Sequence, residues 1–279
     1  MDAIDFFRSS PTQRYPHQAS CAGTYRTKTA SYNPYWDSID HDRLGIVGHS
    51  LGAIGVSVVQ GYGAPGADVW PGVLDETNPV KVAVGWDSLI TPDGSGLGTV
   101  ANFQAPPLLY DAAMTLLTQN SLPNFAPRVP ALSFFADYGG VPAPYLAPPE
   151  PTTNLAAFDA WQKAGVDSYA VGFQGTTHFD FSLLPTFPAS SWCPDTRSGS
   201  CRGGWGQPSI QYYTLAWFDR WLKQPGEQGY DDADQRLLDD AWQGGAERMS
   251  YHYQSARNFV DRQGNRHTCR DIRAGCSIR

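Results

Sequence analysis

Five residues, Gly48-His49-Ser50-Leu51-Gly52, constrain the fold of this chain more than any other stretch of its sequence. The apolar run 44–47 before them is typical of a buried strand, and the run 53–59 after them is typical of a helix packed on a sheet. A G-x-S-x-G motif between a strand and a helix is the pattern of a nucleophile elbow, a strained turn in which side chains at both glycine positions would clash. The motif predicts Ser50 as a catalytic nucleophile, and the alternative is a serine that only caps the helix.

The other apolar runs predict an α/β fold. Four strands, each followed by a helix or a loop, are expected at residues 43–48, 80–86, 131–136 and 168–174. A helix capped by Thr152 or Thr153 should end at Gly165, and a second helix should cover about 208–223 before Pro225. Continuous apolar runs suit strands that are buried on both faces, so we expect a mostly parallel sheet flanked by helices.

The chain divides into two parts in this interpretation. Residues 1–225 form an α/β core that starts just before the elbow strand, and residues 226–279 form a C-terminal extension with a small hairpin around Gly264-Asn265. The extension is rich in aspartate but lacks the glycine and glutamate of a calcium loop, which favours a solvated helix face. Its aspartates are Asp231, Asp232, Asp234, Asp239 and Asp240.

Composition and charge exclude several kinds of partner. With 279 residues, of which 41% are apolar, the chain can bury a large core. Its net charge of -7 leaves no basic stripe for a nucleic acid. No apolar run is long enough to span a bilayer. No residue pattern calls for a metal ion or an organic cofactor, so we expect neither.

The cysteines indicate an oxidising compartment. Cys193 and Cys201 are separated by seven residues and Cys269 and Cys276 by six, so each pair can close a small loop with a disulfide. The alternative is a set of unrelated thiols. Cys21 is left without a partner. The first eight residues lack the basic and apolar pattern of a signal peptide, so secretion is predicted from the cysteines and not from a leader.

A serine nucleophile needs a histidine that accepts its proton and an acid that orients the imidazole. In this architecture the chain order is serine, acid, histidine. His178 is predicted as the base because it alone of the six histidines lies in a loop just after a strand and well beyond Ser50. Asp137, directly after the third strand, is predicted as the acid. Asp87, which equally fits a turn cap, and Asp180 remain rivals.

The remaining site residues are predicted from their positions near Ser50, near His178 and at the end of the second strand. The backbone N–H of Leu51 is the expected oxyanion donor, and a second donor has no candidate in the sequence. His49 neighbours the nucleophile, points elsewhere on the tight turn and is expected to shape the site as a substrate-binding residue. Trp86 and Phe179 are expected to line an apolar substrate cleft.

Three segments together resemble the α/β-hydrolase superfamily, and more narrowly its secreted actinobacterial cutinase-like esterases, lipases and polyester hydrolases. They are Gly48–Gly52, Ala136-Asp137-Tyr138 and Gly175–His178, and the resemblance runs from about residue 40 to 225. It implies hydrolysis of small or polymeric carboxyl esters through an acyl-enzyme. In polyester-cleaving relatives an aromatic residue at the place of Trp86 lines the acyl cleft, although a tryptophan there also fits an anchor at the sheet rim.

One departure from the family stands out. The family builds further strands before the elbow strand, whereas the first 42 residues here show no strand alternation. We therefore expect an N-terminally shortened sheet whose elbow strand is an exposed edge. The missing part would carry the export signal, the second oxyanion donor and a partner for Cys21. The expected function is a serine carboxyl-ester hydrolase; the alternatives are a serine peptidase of the prolyl-oligopeptidase type and a non-catalytic truncated relative.

Overall fold

The computed structural model describes residues 1–17, 31–94, 122–138, 148–182 and 206–276. In these ranges the chain forms an α/β fold with a six-stranded, mostly parallel sheet flanked by helices. The strands are β1 (Leu44–His49), β2 (Val80–Trp86), β3 (Ala131–Ala136), β4 (Ser168–Phe173), β5 (Ala256–Val260) and β6 (Arg266–Cys269). The α-helices are α1 (Asp2–Arg8), α2 (Leu51–Gly61), α3 (Ala156–Lys163), α4 (Gly206–Leu222) and α5 (Ala233–Leu238). Short 3-10 helices lie at Trp36–Ser38, Thr153–Leu155, His178–Phe181 and Trp242–Arg248.

The six strands lie side by side in the order of the sequence. Strands β1 to β4 are parallel, and β5 and β6 each run antiparallel to the strand before them. The four strands predicted from apolar runs are the parallel ones, each within one residue of the predicted bounds. Because these four strands run in one direction, their carboxyl ends meet at a single edge of the sheet.

Strands β2, β3 and β4 are largely buried because helices cover both faces of the sheet. On one face Leu132 packs in a cluster with Trp217 of α4. On the other face Ala131 packs with Val56 of α2 and Trp161 of α3. Successive residues of a strand point to opposite faces, so both faces must be apolar, which is why these strands appear as unbroken apolar runs in the sequence.

Strand β1 occupies an edge of the sheet. In the described part of the chain it pairs with β2 on one side, and no described strand pairs with its other side. None of its six residues is buried, and Val47 is 44% exposed. By contrast, every residue of β3 and β4 is buried. An edge position for the elbow strand is what the sequence led us to expect.

In the acidic stretch after α4, some aspartates form pairs with arginines and are not simply solvated. Asp240 accepts hydrogen bonds from Arg257 on both oxygens, at 2.5 and 2.8 Å. Asp234 pairs with Arg220 of α4 at 2.7 Å. The expected solvated face holds for Asp232, whose side chain is 60% exposed. It does not hold for Asp234 and Asp240, because arginines of α4 and β5 reach them.

The C-terminal hairpin continues the same sheet, since β5 pairs with β4. At its end Cys269 and Cys276 lie at disulfide distance, with Cα atoms 5.1 Å apart. The other predicted pair, Cys193 and Cys201, and the unpaired Cys21 lie outside the described residues. None of the described helices is long and apolar enough to cross a membrane.

Candidate active site

Ser50 lies on a strained turn between β1 and α2. Its φ of 60° and ψ of -124° are unfavourable for a residue with a side chain, and its side chain makes no capping hydrogen bond to the helix. A Cβ at Gly48 would come within 2.2 Å of the carbonyl oxygen of Gly52, so position 48 requires glycine. A Cβ at Gly52 would meet none of the described atoms within 4 Å, so the clash expected there is not found. The local geometry is that of an elbow, not of a capping serine.

A second strained residue lies directly beside the first. Asp87 has a φ of 54°, and in the described ranges Ser50 and Asp87 are the non-glycine residues with positive φ. The register of β1 and β2 pairs His49 with Trp86, so the two strained residues follow paired strand ends. The N–H of Ser50 also donates to the carbonyl of Trp86 at 3.0 Å. Backbone strain of this kind accumulates at functional sites, because the surrounding structure must stabilise it.

The carboxylate that binds His178 is that of Asp87. Nδ1 of His178 and Oδ2 of Asp87 are 2.5 Å apart, and the two side chains are 14% and 4% exposed. The other oxygen of Asp87 accepts a hydrogen bond from the N–H of Ala136 at 2.8 Å. Both oxygens are therefore held, so the carboxylate orients the imidazole from a fixed position.

Asp137, which the sequence favoured as the acid, has a different set of partners. One of its oxygens accepts the N–H of Gly175 at 2.9 Å and the other accepts the hydroxyl of Ser250. Burial raises the pKa of this carboxyl, against the effect of those two hydrogen bonds. The carboxylate bonded to His178 is therefore that of Asp87, which follows the strand next to β1, and the expected acid Asp137 lies one strand further away.

The third candidate acid, Asp180, caps the helix that carries His178. Its Oδ2 accepts the N–H of Thr177 at 2.7 Å and the Thr177 hydroxyl at 3.0 Å, and the Thr177 hydroxyl in turn accepts the N–H of Phe179. This is a capping box at the start of the 3-10 helix His178–Phe181. Asp180 thus fixes the local backbone of the loop.

His49 contacts His178 through both its ring and its polar atom. Its Nε2–H donates to the carbonyl oxygen of His178 at 2.9 Å, and the two ring centroids are 4.5 Å apart. Burial lowers the pKa of His49, and the nearby His178 lowers it further. Both effects favour the neutral form of His49, which can still donate from Nε2 to His178.

The remaining residues predicted for the site, Leu51, Phe179 and Trp86, have different surroundings. Leu51 is the first residue of α2, where backbone N–H groups have no acceptor within the helix, and its side chain is 71% exposed. The ring of Phe179 lies 5.8 Å from that of His178. Trp86 donates from Nε1 to the hydroxyl of Thr214 on α4 at 3.2 Å and packs against the core there. These contacts of Trp86 are those of an anchor at the sheet rim.

The described residues contain no group of three or more histidine, cysteine, aspartate or glutamate side chains that could hold a metal ion. The sequence matches no model of a known protein family and no curated protein. The class of protein therefore rests on the structure. It is an α/β protein whose parallel sheet carries a serine, a histidine and an aspartate at its carboxyl edge.

Proposed function

We propose that this protein is a serine hydrolase that acts on carboxyl esters. Ser50 is the nucleophile, His178 is the general base and Asp87 is the acid that orients it. The hydrogen bond between Asp87 and His178, formed next to the strained backbone of Ser50, carries the proposal. These two features supply two of the three relationships that a serine nucleophile requires. The bond gives a base held by an acid, and the strained backbone gives a nucleophile on an exposed turn.

The chemistry follows from the position of the protons. When Nδ1–H of His178 donates to Asp87, the neutral ring presents Nε2 as the nitrogen that accepts the hydroxyl proton of Ser50. The serine oxygen then forms a bond to the ester carbonyl carbon, and the N–H of Leu51 donates to the resulting oxyanion. Nε2–H returns the proton to the departing alcohol. A water molecule repeats the sequence on the acyl-enzyme and regenerates Ser50.

Esters are favoured because the side chains next to the reacting groups are apolar. Leu51 follows the nucleophile and is exposed, and Phe179 follows the base. An apolar acyl chain suits such surroundings, whereas a charged peptide side chain would need a partner. The likeness to cutinase-like esterases, lipases and polyester hydrolases extends the proposal to polymeric esters. The Cys269 and Cys276 pair supports secretion into an oxidising compartment.

The test uses a fluorophosphonate probe, which reacts only with an activated serine. We expect the protein to be labelled and to hydrolyse p-nitrophenyl butyrate faster than a peptide p-nitroanilide. Ser50→Ala should abolish both labelling and hydrolysis. Ser38→Ala, at an exposed serine in the 3-10 helix before β1, is the matched control and should change neither. Labelling that survives Ser50→Ala, or a wild-type protein that is never labelled, would overturn the proposal, and faster cleavage of the peptide would replace the esterase by a peptidase.

A further inference from the structure

We propose that His49 is a positioning residue, which holds the backbone of His178 against the strand that carries Ser50. This inference rests on the proposed function and adds to the site a group outside the serine, histidine and aspartate already described. His49 acts through His178 and does not need to touch the substrate.

His49 connects Ser50 and His178, because it is bonded to the first and hydrogen-bonded to the second. It is the last residue of β1 and is bonded covalently to Ser50, while its Nε2–H donates to the peptide carbonyl of His178, 129 residues away in sequence. One hydrogen bond therefore connects the nucleophile's strand to the backbone of the base. The imidazole of His49 also lies against that of His178, with 36° between the ring planes, and its ring centroid is 6.1 Å from that of Phe181.

The hydrogen bond from His49 restrains the backbone of His178, which the bond from Asp87 to the ring does not restrain directly. The bond from Nδ1 of His178 to Asp87 fixes the direction of the ring at one atom. His178 begins a 3-10 helix of only four residues, an element too short to hold its position by itself. A second bond, at the carbonyl of the same residue, fixes the backbone from the opposite end of the side chain. Together the two bonds determine where Nε2 lies relative to Ser50.

A neutral histidine suits this position for an electrostatic reason. During turnover the ring of His178 becomes an imidazolium, and a second positive charge 4.5 Å away would oppose that change. His49 can donate from Nε2 without carrying a charge. The lowered pKa of His49, caused by burial and by His178, agrees with a neutral donor.

Three substitutions separate the hydrogen bond from the shape of the ring. His49→Gln places an amide N–H at about the reach of Nε2, His49→Asn has the same amide on a shorter chain, and His49→Phe keeps a ring without a donor. We expect kcat to fall about 10- to 100-fold in His49→Asn and His49→Phe, since small misplacements of a reacting group have effects of this size. His49→Gln should recover most of kcat. KM should change less than about threefold in all three, because the substrate does not contact His49.

A second measurement reports on the site without turnover. The proton on Nδ1 of His178, shared with Asp87, gives a downfield NMR signal that should persist in His49→Gln and broaden or disappear in the Asn and Phe variants. In the unaltered protein, long-range proton–nitrogen correlation should show His49 protonated on Nε2 and bare on Nδ1. This measurement on the wild-type protein needs no variant, so it still tests the role of His49 if a substitution prevents folding.

The outcomes divide cleanly between the two proposals. A wild-type protein that shows neither Ser50 labelling nor ester turnover would end the proposed function, while the NMR arm would still decide whether His49 holds His178. A His49 protonated on Nδ1 alone would overturn the positioning role. Equal losses of kcat in the Gln, Asn and Phe variants, or no loss in any of them, would also overturn it.

Discussion

Two aspartates follow neighbouring parallel strands, and their surroundings give them different roles. Asp87 presents one oxygen to His178 and has the other held by a backbone N–H. Asp137 uses its oxygens to tie the loop at Gly175 to Ser250 in the C-terminal part of the chain. The same residue type at equivalent strand ends thus orients the base in one case and joins segments in the other.

The first prediction compares the two aspartates under one substitution. Asp87→Asn should retain the fold but lower kcat about 10⁴-fold, because an amide stabilises the wrong tautomer of the histidine. Asp137→Asn should lower kcat by less than about tenfold, since its oxygens hold the loop and not the ring. The measurement is kcat on p-nitrophenyl butyrate, with circular dichroism as the check on folding. A larger loss in Asp137→Asn would return the acid role to that residue.

The second prediction concerns the pH dependence of stability at Asp137. Burial raises the pKa of its carboxyl in the folded protein above the ordinary value of 3.8, so folding favours the protonated form. The contribution of this group to stability is therefore fully present below about pH 4 and is lost as the pH rises through the folded pKa. The difference in unfolding free energy between wild type and Asp137→Asn should decline over that range. Urea unfolding at several pH values measures it, and a difference that stays constant with pH would contradict the expectation.

At the scale of elements, the short 3-10 helix His178–Phe181 is the piece that must be held most firmly. Its start is closed by the capping box of Thr177 and Asp180. Its base residue is bonded at the ring by Asp87 and at the carbonyl by His49. The element is too short to be stable alone, so its position depends on these side-chain contacts and on Phe181, which is buried in the core.

The third prediction tests that cap. Thr177→Ala removes the hydroxyl that accepts the N–H of Phe179, and the loss of a cap costs about 1 kcal/mol, or about a fivefold change in a local equilibrium. Hydrogen exchange at the Phe179 amide should therefore accelerate about fivefold. Thr153→Ala, at a threonine whose hydroxyl bonds exposed Glu150, is the matched control. An unchanged exchange rate at Phe179, or an equal acceleration in the control, would show that the cap does not hold the loop.

The four parallel strands and the elbow were predictable from sequence because both depend on local patterns. Buried parallel strands need apolar residues at every position, and a tight turn needs glycine at position 48. The choice between Asp87 and Asp137 was not predictable in this way. It depends on which strand end lies nearest the nucleophile and on partners more than 30 residues away, such as Ala136 for Asp87 and Ser250 for Asp137. One signal did favour Asp87, because it directly follows the run 80–86, the next apolar run after the elbow strand.

At the scale of the whole molecule, the described part of the sheet has two edge strands, β1 and β6, and they differ in what they join. Its far end is a hairpin, β5 and β6, with Cys269 and Cys276 at disulfide distance just beyond it. Its near end is β1, the strand that leads into Ser50, and in the described ranges no strand pairs with the outer side of β1. Unpaired backbone donors and acceptors on such an edge attract another strand. Ser50, the proposed nucleophile, thus directly follows an edge strand.

The fourth prediction is that the chain associates through β1 as protein concentration rises. Val47, the exposed apolar residue of β1, would lie at that contact, and a lysine on an edge strand opposes pairing by charge repulsion and by desolvation. Val47→Lys should therefore shift the association midpoint, measured by sedimentation velocity, to at least about tenfold higher concentration, the equivalent of about 1.4 kcal/mol. Val69→Lys makes the same change at a more exposed valine in the loop between α2 and β2, so it controls for net charge. Equal shifts in the two variants would attribute the effect to overall charge, and a wild-type protein that stays monomeric at all concentrations would show that the edge of β1 is protected.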